Sequence, residues 1–183
     1  MKALAVVAHP DDCVIFARPF IETYSGFEWT ILYLTYWSWD ARAKEVTEYW
    51  SKKNVLTLFL GFNDDYEYVK RGELGFDKEQ ALQEINNISK QYQLILTHNQ
   101  NGEYGHLHHV LVNQAVQQND VPKVYFGDIT SYNTTYTTME PVDLDELPLH
   151  KEVISGFVDR DIGRYTITPK AKELIPCEKE KIV

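Results

Sequence analysis

The chain has 183 residues, 44% of them apolar and 25% charged, the balance of an ordinary water-soluble domain with room for a sizeable core. Its 27 acidic against 18 basic residues leave a formal net charge of -9, which argues against nucleic acid or an anionic membrane as the main partner. No apolar run is long enough for a membrane span or a secretory signal core. The two cysteines, Cys13 and Cys177, stand too far apart to suggest a disulfide framework. The expectation is a reduced, cytoplasmic protein, in which the sequons at Asn87 and Asn133 are chance matches.

In chain order, "ALAVVA" (residues 3–8) reads as a short buried strand. The segment after it reads as helical, kinked or shortened by Pro19. "WTILYLTYW" (29–37) and "VLTLFL" (55–60) are β-branched and aromatic strands. Between them "ARAKEVTEYWSKK" spaces Ala43, Val46 and Trp50 at helical intervals behind a cap at Asp40. Residues 61–76 form a long connection without periodicity, read as a solvated excursion or lid. "DKEQALQEINNISKQY" (77–92) is a helix with Leu82, Ile85, Ile88 and Tyr92 on one face, opened by the capping-box-like pair Asp77 and Gln80. "LILT" (94–97) and "KVYF" (123–126) complete five strands, and "HLHHVLVNQAVQQ" (106–118) puts Leu107, Leu111 and Ala115 on one stripe. Beyond Phe126, a Thr- and Tyr-rich stretch (128–144) suggests strand or loop, and "DELPLHKEVISGFV" (145–158) has room for one more helix.

Strands alternating with helices predict an α/β fold, a Rossmann-like three-layer sandwich whose mainly parallel sheet carries helices on both faces. The expected organisation is a single domain, 1–183, with its core at about 1–128 and an extension at 129–183. Ligands of such sheets bind at the carboxyl ends of the strands. "AHPDD", which places His9, Asp11 and Asp12, lies at one such end. "THNQNGEYGHLHH" lies at another and carries four of the six histidines: His98, His106, His108 and His109. His106 and His109 stand three apart at a helix start, so both can face one site. One carboxylate with two histidines and an open fourth position is the composition of a catalytic rather than a structural zinc site. An unactivated amide needs a strong nucleophile and a stabilised oxyanion, and zinc with a neighbouring carboxylate base supplies both.

"AHPDD" followed by "NGEYGHLHH" resembles the zinc-dependent N-acetylglucosamine deacetylases, the LmbE-like family that includes the glycosylphosphatidylinositol-pathway de-N-acetylases. That family's motifs read A-H-P-D-D-E and G-H-x-D-H. The first matches in five residues of six, with Cys13 where glutamate is usual. The second keeps Gly105, His106 and His109 but has His108 where aspartate is usual. The resemblance covers roughly the first two-thirds of the chain. It implies His9, Asp12 and His109 as metal ligands, Asp11 as general base, and His106 as the histidine that stabilises or protonates the reacting group. It also implies a substrate contact at Arg42, in an R-x-x-E pattern with Glu45, and another at Tyr104. The implied cofactor is zinc, with another divalent transition metal such as Fe2+ as the alternative, and the implied substrate is a small amino sugar.

Plainer readings stand beside these. "HPDD" alone suits a helix cap, and Arg42 alone suits a surface partner for Glu45. His108 reads as a helix-surface residue or a support rather than a ligand, and His98 as either a support for a ligand or a satisfied core histidine. Cys13 reads as a small buried side chain, or as a loss of support for the site. Competing functions are a metal-dependent amidohydrolase acting on a non-sugar amide and a metal-keeping binding module without turnover. The short C-terminal part leaves room for a homo-oligomer in which a neighbouring copy completes the site.

Overall fold

A computed structural model describes residues 1–127, 142–156 and 164–175. Six strands form one sheet in the order β3-β2-β1-β4-β5-β6. β1 (Lys2–Val7) lies at its centre, flanked by β2 (Glu28–Thr35) and β4 (Leu94–Thr97), both parallel to it. β3 (Leu56–Phe62) and β5 (Lys123–Phe126) extend the parallel sheet on either side. The five predicted strands are therefore present, β4 and β5 with the expected bounds and the ends of β1, β2 and β3 shifted by one or two residues. A sixth, β6 (Tyr165–Ile167), pairs antiparallel to β5.

The alternation of β1 builds a core on each side. Ala3, Ala5 and Val7 face a cluster with Phe20, Trp29, Tyr33, Val46 and Trp50. Leu4, Val6 and Ala8 face the opposite cluster with Leu82, Ile85, Leu111 and Val112. The first cluster is covered by α1 (Arg18–Thr23) and α2 (Ala41–Ser51). The second is covered by α4 (Lys78–Ser89), which follows the short helix α3 (Tyr66–Lys70), and by α6 (Leu107–Val116), which follows the single turn α5 (Gly102–Gly105). The result is a three-layer α/β sandwich, as the alternation of elements predicts. β1 connects through α1 to β2 on one side, while its other neighbour is β4. The crevice at the carboxyl ends of β1 and β4 is thus the switch point where such folds bind ligands.

Several local features refine the sequence reading. The segment after β1 opens as a π-helical turn over Cys13–Ala17 before α1 begins. Pro19 falls in the first turn of α1, where its missing N–H costs least. Asp77 caps α4 as expected, accepting from the Gln80 amide at 3.1 Å, but the Gln80 side chain turns forward to Glu84 rather than back. Asp40 stands at the N-cap position of α2 without capping it, because its carboxylate accepts from the Trp37 amide at 2.7 Å instead. The region read as one more helix holds a 3-10 turn (Leu144–Glu146) and α7 (Lys151–Ser155), and α8 (Pro169–Lys172) follows β6. Most of the Thr- and Tyr-rich stretch, the sequon at Asn133 and Cys177 lie outside the described residues. No helix among the described residues is long and apolar enough to cross a membrane.

Candidate metal centre and active site

The turn after β1 is stitched to its own side chains. The His9 amide donates to Asp12 Oδ2 at 2.8 Å, folding that carboxylate back beneath the His9 ring. The same oxygen lies 3.1 Å from His9 Nδ1. The Asp11 carbonyl accepts the amides of Val14 and Ile15, both at 3.0 Å, so it starts the following π-helical turn. Asp11 and Asp12 are adjacent but diverge, one toward Arg42 and the other toward the histidines.

The second half comes from the connection after β4. Its backbone is tightly curled, with positive φ at Gly102 (62°), Glu103 (57°) and Gly105 (89°). Glycine takes such angles freely, whereas Glu103 does so against local strain. The strained residue delivers a buried carboxylate into the site. Glu103 accepts from the Asn99 amide at 2.9 Å, and its Oε2 lies 2.7 Å from Nδ1 of both His98 and His109. Each of those rings therefore donates Nδ1–H to Glu103 and presents its Nε2 elsewhere.

The two Nε2 atoms have different surroundings. His98 Nε2 accepts the Ala8 amide at 3.1 Å, which closes it to any cation. The Glu103 and Asp12 carboxylates pull the His98 ring toward protonation against its burial, to about 9. The amide contact belongs to the unprotonated nitrogen, and that contact decides His98 as a neutral, satisfied core residue. His109 Nε2 instead points at the turn after β1, 3.3 Å from His9 Nδ1 and 3.3 Å from Asp12 Oδ2. His9 Nδ1, Asp12 Oδ2 and His109 Nε2 thus form a triangle with sides of 3.1, 3.3 and 3.3 Å. Donors about 2.0–2.1 Å from a tetrahedral ion are about 3.3–3.4 Å apart, so the triangle fits a cation of zinc's size.

Charge follows the same geometry. Burial pulls the His9 ring down, but Asp12 and then Asp64 outweigh it and push it up to about 10. Burial also opposes ionisation of Asp12, yet His109 and His9 hold it well below the usual carboxylate range. Burial, then the charge of His9, pushes His106 down to about 3 and His108 down to about 4.

His106 forms the N-cap of α6 and its Nδ1 accepts the His108 amide at 3.3 Å. That fixes its proton on Nε2 and makes it a neutral donor, rather than the imidazolium the chemistry alone would also permit. Its ring stands edge-on to His9, with centroids 4.7 Å apart. Tyr104 is 53% exposed, its ring edge-on to His109 and His106.

Arg42 does not pair with Glu45. Its Nη2 donates to Asp11 Oδ1 at 2.9 Å, its Nη1 to the Tyr36 hydroxyl at 2.9 Å, and its Nε to His150 Nε2 at 3.2 Å. Glu45 instead holds His150 through Nδ1 and accepts the Leu149 amide at 2.8 Å. Cys13 is fully buried beneath the turn, donating to the Pro10 carbonyl at 3.0 Å and accepting from Trp50 Nε1 at 2.9 Å. Burial pushes its thiol up to about 12, and it points away from the histidines into the core.

Sequence reasoning missed four residues here: Glu103, Asp64, Tyr36 and His150. Of the two readings of His108, helix surface or support for the site, the first does not hold, because the ring is fully buried. The 61–76 connection was read as a solvated excursion or lid, and its Asp64 reaches within 3.3 Å of His9 Nε2. The glycines bracketing "GEYG" were the available signal for Glu103, and the adjacent acids Asp64 and Asp65 after a strand were the signal for Asp64.

An α/β sheet with clustered histidines and carboxylates at its carboxyl edge defines the class. The chain belongs to the PIG-L family, GlcNAc-PI de-N-acetylase, which it matches over residues 4–119. Comparison with curated proteins finds no sequence match. Among solved structures it resembles GalB, the 4-carboxy-2-hydroxymuconate hydratase from Pseudomonas putida KT2440. The TM-score is 0.56 at 15% identity, covering 86% of this chain and 78% of that one. It also resembles a deacetylase of teicoplanin biosynthesis in complex with teicoplanin (TM-score 0.55, 10% identity, 90% and 96% covered). A third is the zinc-inhibited form of teicoplanin deacetylase Orf2 (TM-score 0.50, 13% identity, 86% and 84% covered). At these identities the likeness is one of fold.

Proposed function

We propose that the protein is a zinc-dependent deacetylase that removes the acetyl group from an N-acetylglucosamine-type amino sugar or its conjugate. The observation that carries this is the triangle of His9 Nδ1, Asp12 Oδ2 and His109 Nε2, with Asp11 and His106 beside it. Family membership supports the substrate class. The three donors are the ligands in this reading. The bound ion supplies Lewis acidity toward the acetyl carbonyl and the attacking water.

The remaining work falls to side chains. Asp11 accepts the proton of the water and passes it to the departing amine. Burial, then the neighbouring Asp12 charge, raises its carboxyl, while His9 and Arg42 oppose the rise. Arg42 fixes Oδ1 of Asp11 and leaves the other oxygen to carry the proton. His106 donates Nε2–H to the carbonyl oxygen as negative charge builds there, a contribution worth about 10²–10³ in rate for one such donor. Tyr104 is the substrate contact in this reading, supported by its exposure beside His106 and His109.

The test is acetate release from a panel of N-acetylglucosamine conjugates, with zinc and with chelator. Acetate that appears with zinc and stops with chelator is expected. No acetate from any conjugate at full metal occupancy would refute the reading.

A further inference from the structure

A second triangle of donors lies on the far side of the His9 ring, and the function above leaves it unused. His9 Nε2 is 3.1 Å from His108 Nδ1 and 3.3 Å from Asp64 Oδ1. His108 Nδ1 and Asp64 Oδ1 are 3.6 Å apart. One ligand atom from each of the three falls within the spacing a single ion requires. These sides bracket the separation of about 3.3–3.4 Å expected around a tetrahedral ion.

Each donor is held from behind. His108 Nε2 lies 3.4 Å from the Leu74 carbonyl. A proton donated there leaves the Nδ1 lone pair facing His9. The Phe76 ring packs against the same imidazole, with centroids 5.3 Å apart. Asp64 is steadied by the Tyr36 hydroxyl, itself held by Arg42 Nη1 at 2.9 Å. The His9 and His108 side chains are nearly or fully buried, while the Asp64 side chain is 24% exposed. The set therefore has an entry path and room for a solvent ligand. His108 is the residue that completes it, at the position where the resembled family pattern has aspartate.

We propose that His9 Nε2, Asp64 Oδ1 and His108 Nδ1 form a second divalent-metal site, with the His9 imidazole bridging it to the site on its Nδ1 side. The proposal rests on the reading of His9, Asp12 and His109 as the first site. Two histidine nitrogens and a carboxylate suit zinc or a neighbouring first-row divalent ion. With both ring nitrogens ligated, His9 releases its remaining ring proton to solvent, so the second ion enters in exchange for one proton.

The experiment is equilibrium dialysis of the metal-stripped full chain against Zn2+, followed by metal analysis. The wild-type chain is expected to bind two ions, and the variants Asp64→Asn and His108→Asn one each. His109→Ala should lose the ion on the Nδ1 side. Loading with Cu2+ adds a separate readout, because a bridging imidazole couples the two spins in the electron paramagnetic resonance spectrum. One ion bound by the wild-type chain would overturn the second site and leave the first intact. No bound ion would overturn both. Two ions retained in Asp64→Asn and in His108→Asn would place the second ion elsewhere and overturn the proposal. Two uncoupled Cu2+ ions would overturn the bridge. Asp64 is partly exposed, so its variant keeps the test decisive even if the buried His108 variant fails to fold.

Discussion

Glu103 Oε2 lies 2.7 Å from His109 Nδ1, and that contact decides which nitrogen of His109 faces the candidate metal centre. A histidine without such a partner samples both tautomers and a range of ring angles. Here the proton is drawn to Nδ1, and Nε2 stays within 3.3 Å of both His9 Nδ1 and Asp12 Oδ2. A carboxylate behind a ligating imidazole also raises its basicity. Glu103→Gln keeps the shape but loses the charge and one acceptor. Zinc affinity is expected to fall about 10–100-fold, as is typical for loss of such a partner. Competition with a chromophoric chelator measures it, and an unchanged affinity would remove Glu103 from the site.

The same carboxylate predicts a pH dependence of the metal-free protein. Burial opposes its ionisation, but its partners His98 and His109, which donate their ring N–H groups to it, prevail and lower Glu103 from 4.5 to about 2. A depressed folded-state value means that the stabilisation is present above the unfolded value. It is lost as pH falls through the folded one, here between about pH 4.5 and pH 2. Urea unfolding of chelator-treated protein at pH 7 and pH 3 should show a clear loss in the wild type and a smaller one in Glu103→Gln. Equal losses in both would show that other groups carry the acid sensitivity.

Asp11 and Arg42 make a pair whose purpose is separable from metal binding. Asp11 points away from the donor triangle, toward the guanidinium at 2.9 Å. Asp11→Asn should therefore bind zinc with unchanged stoichiometry while kcat falls about 10²–10⁴-fold, the usual worth of a positioned proton acceptor. Arg42→Lys cannot reproduce a fork that reaches Asp11, Tyr36 and His150 at once. It should lower kcat less than Asp11→Asn does and shift the pH profile through Asp11. Loss of zinc from Asp11→Asn would contradict the division of labour between the two aspartates.

What the sequence made legible, and what it did not, divides by range. The strands were readable because burial on both faces of the sheet leaves near-continuous apolar runs, as in residues 3–8. His9, Asp11, Asp12, His106 and His109 were readable as one constellation because strand order alone brings two βα turns together at one sheet edge. Glu103, Asp64, Tyr36 and His150 were not, because their roles arise from tertiary placement. Asp64 comes from the turn after β3, two strands away from β1. His150 reaches Arg42 across a sequence separation of 108 residues. The Asp40 cap failed for a local reason: a nearer amide donor, that of Trp37, took its carboxylate.

Cys13 occupies the position where the resembled family usually carries glutamate, and the structure predicts what restoring that residue would do. The side chain is fully buried and faces the core rather than the histidines, between the Pro10 carbonyl and the Trp50 indole. A carboxylate there would meet the Trp50 indole N–H and the buried Tyr33 hydroxyl, but no cation, in an otherwise apolar core. An uncompensated buried charge costs about 3–5 kcal/mol. Cys13→Glu should therefore lower the thermal midpoint markedly at neutral pH, with part of the loss recovered on acidification as the carboxyl becomes neutral. Cys13→Ser, which changes a weak donor for a strong one of similar shape, should cost far less. Calorimetry of the two variants decides the matter: a Cys13→Glu protein as stable as wild type would mean that the turn swings this side chain out toward the site.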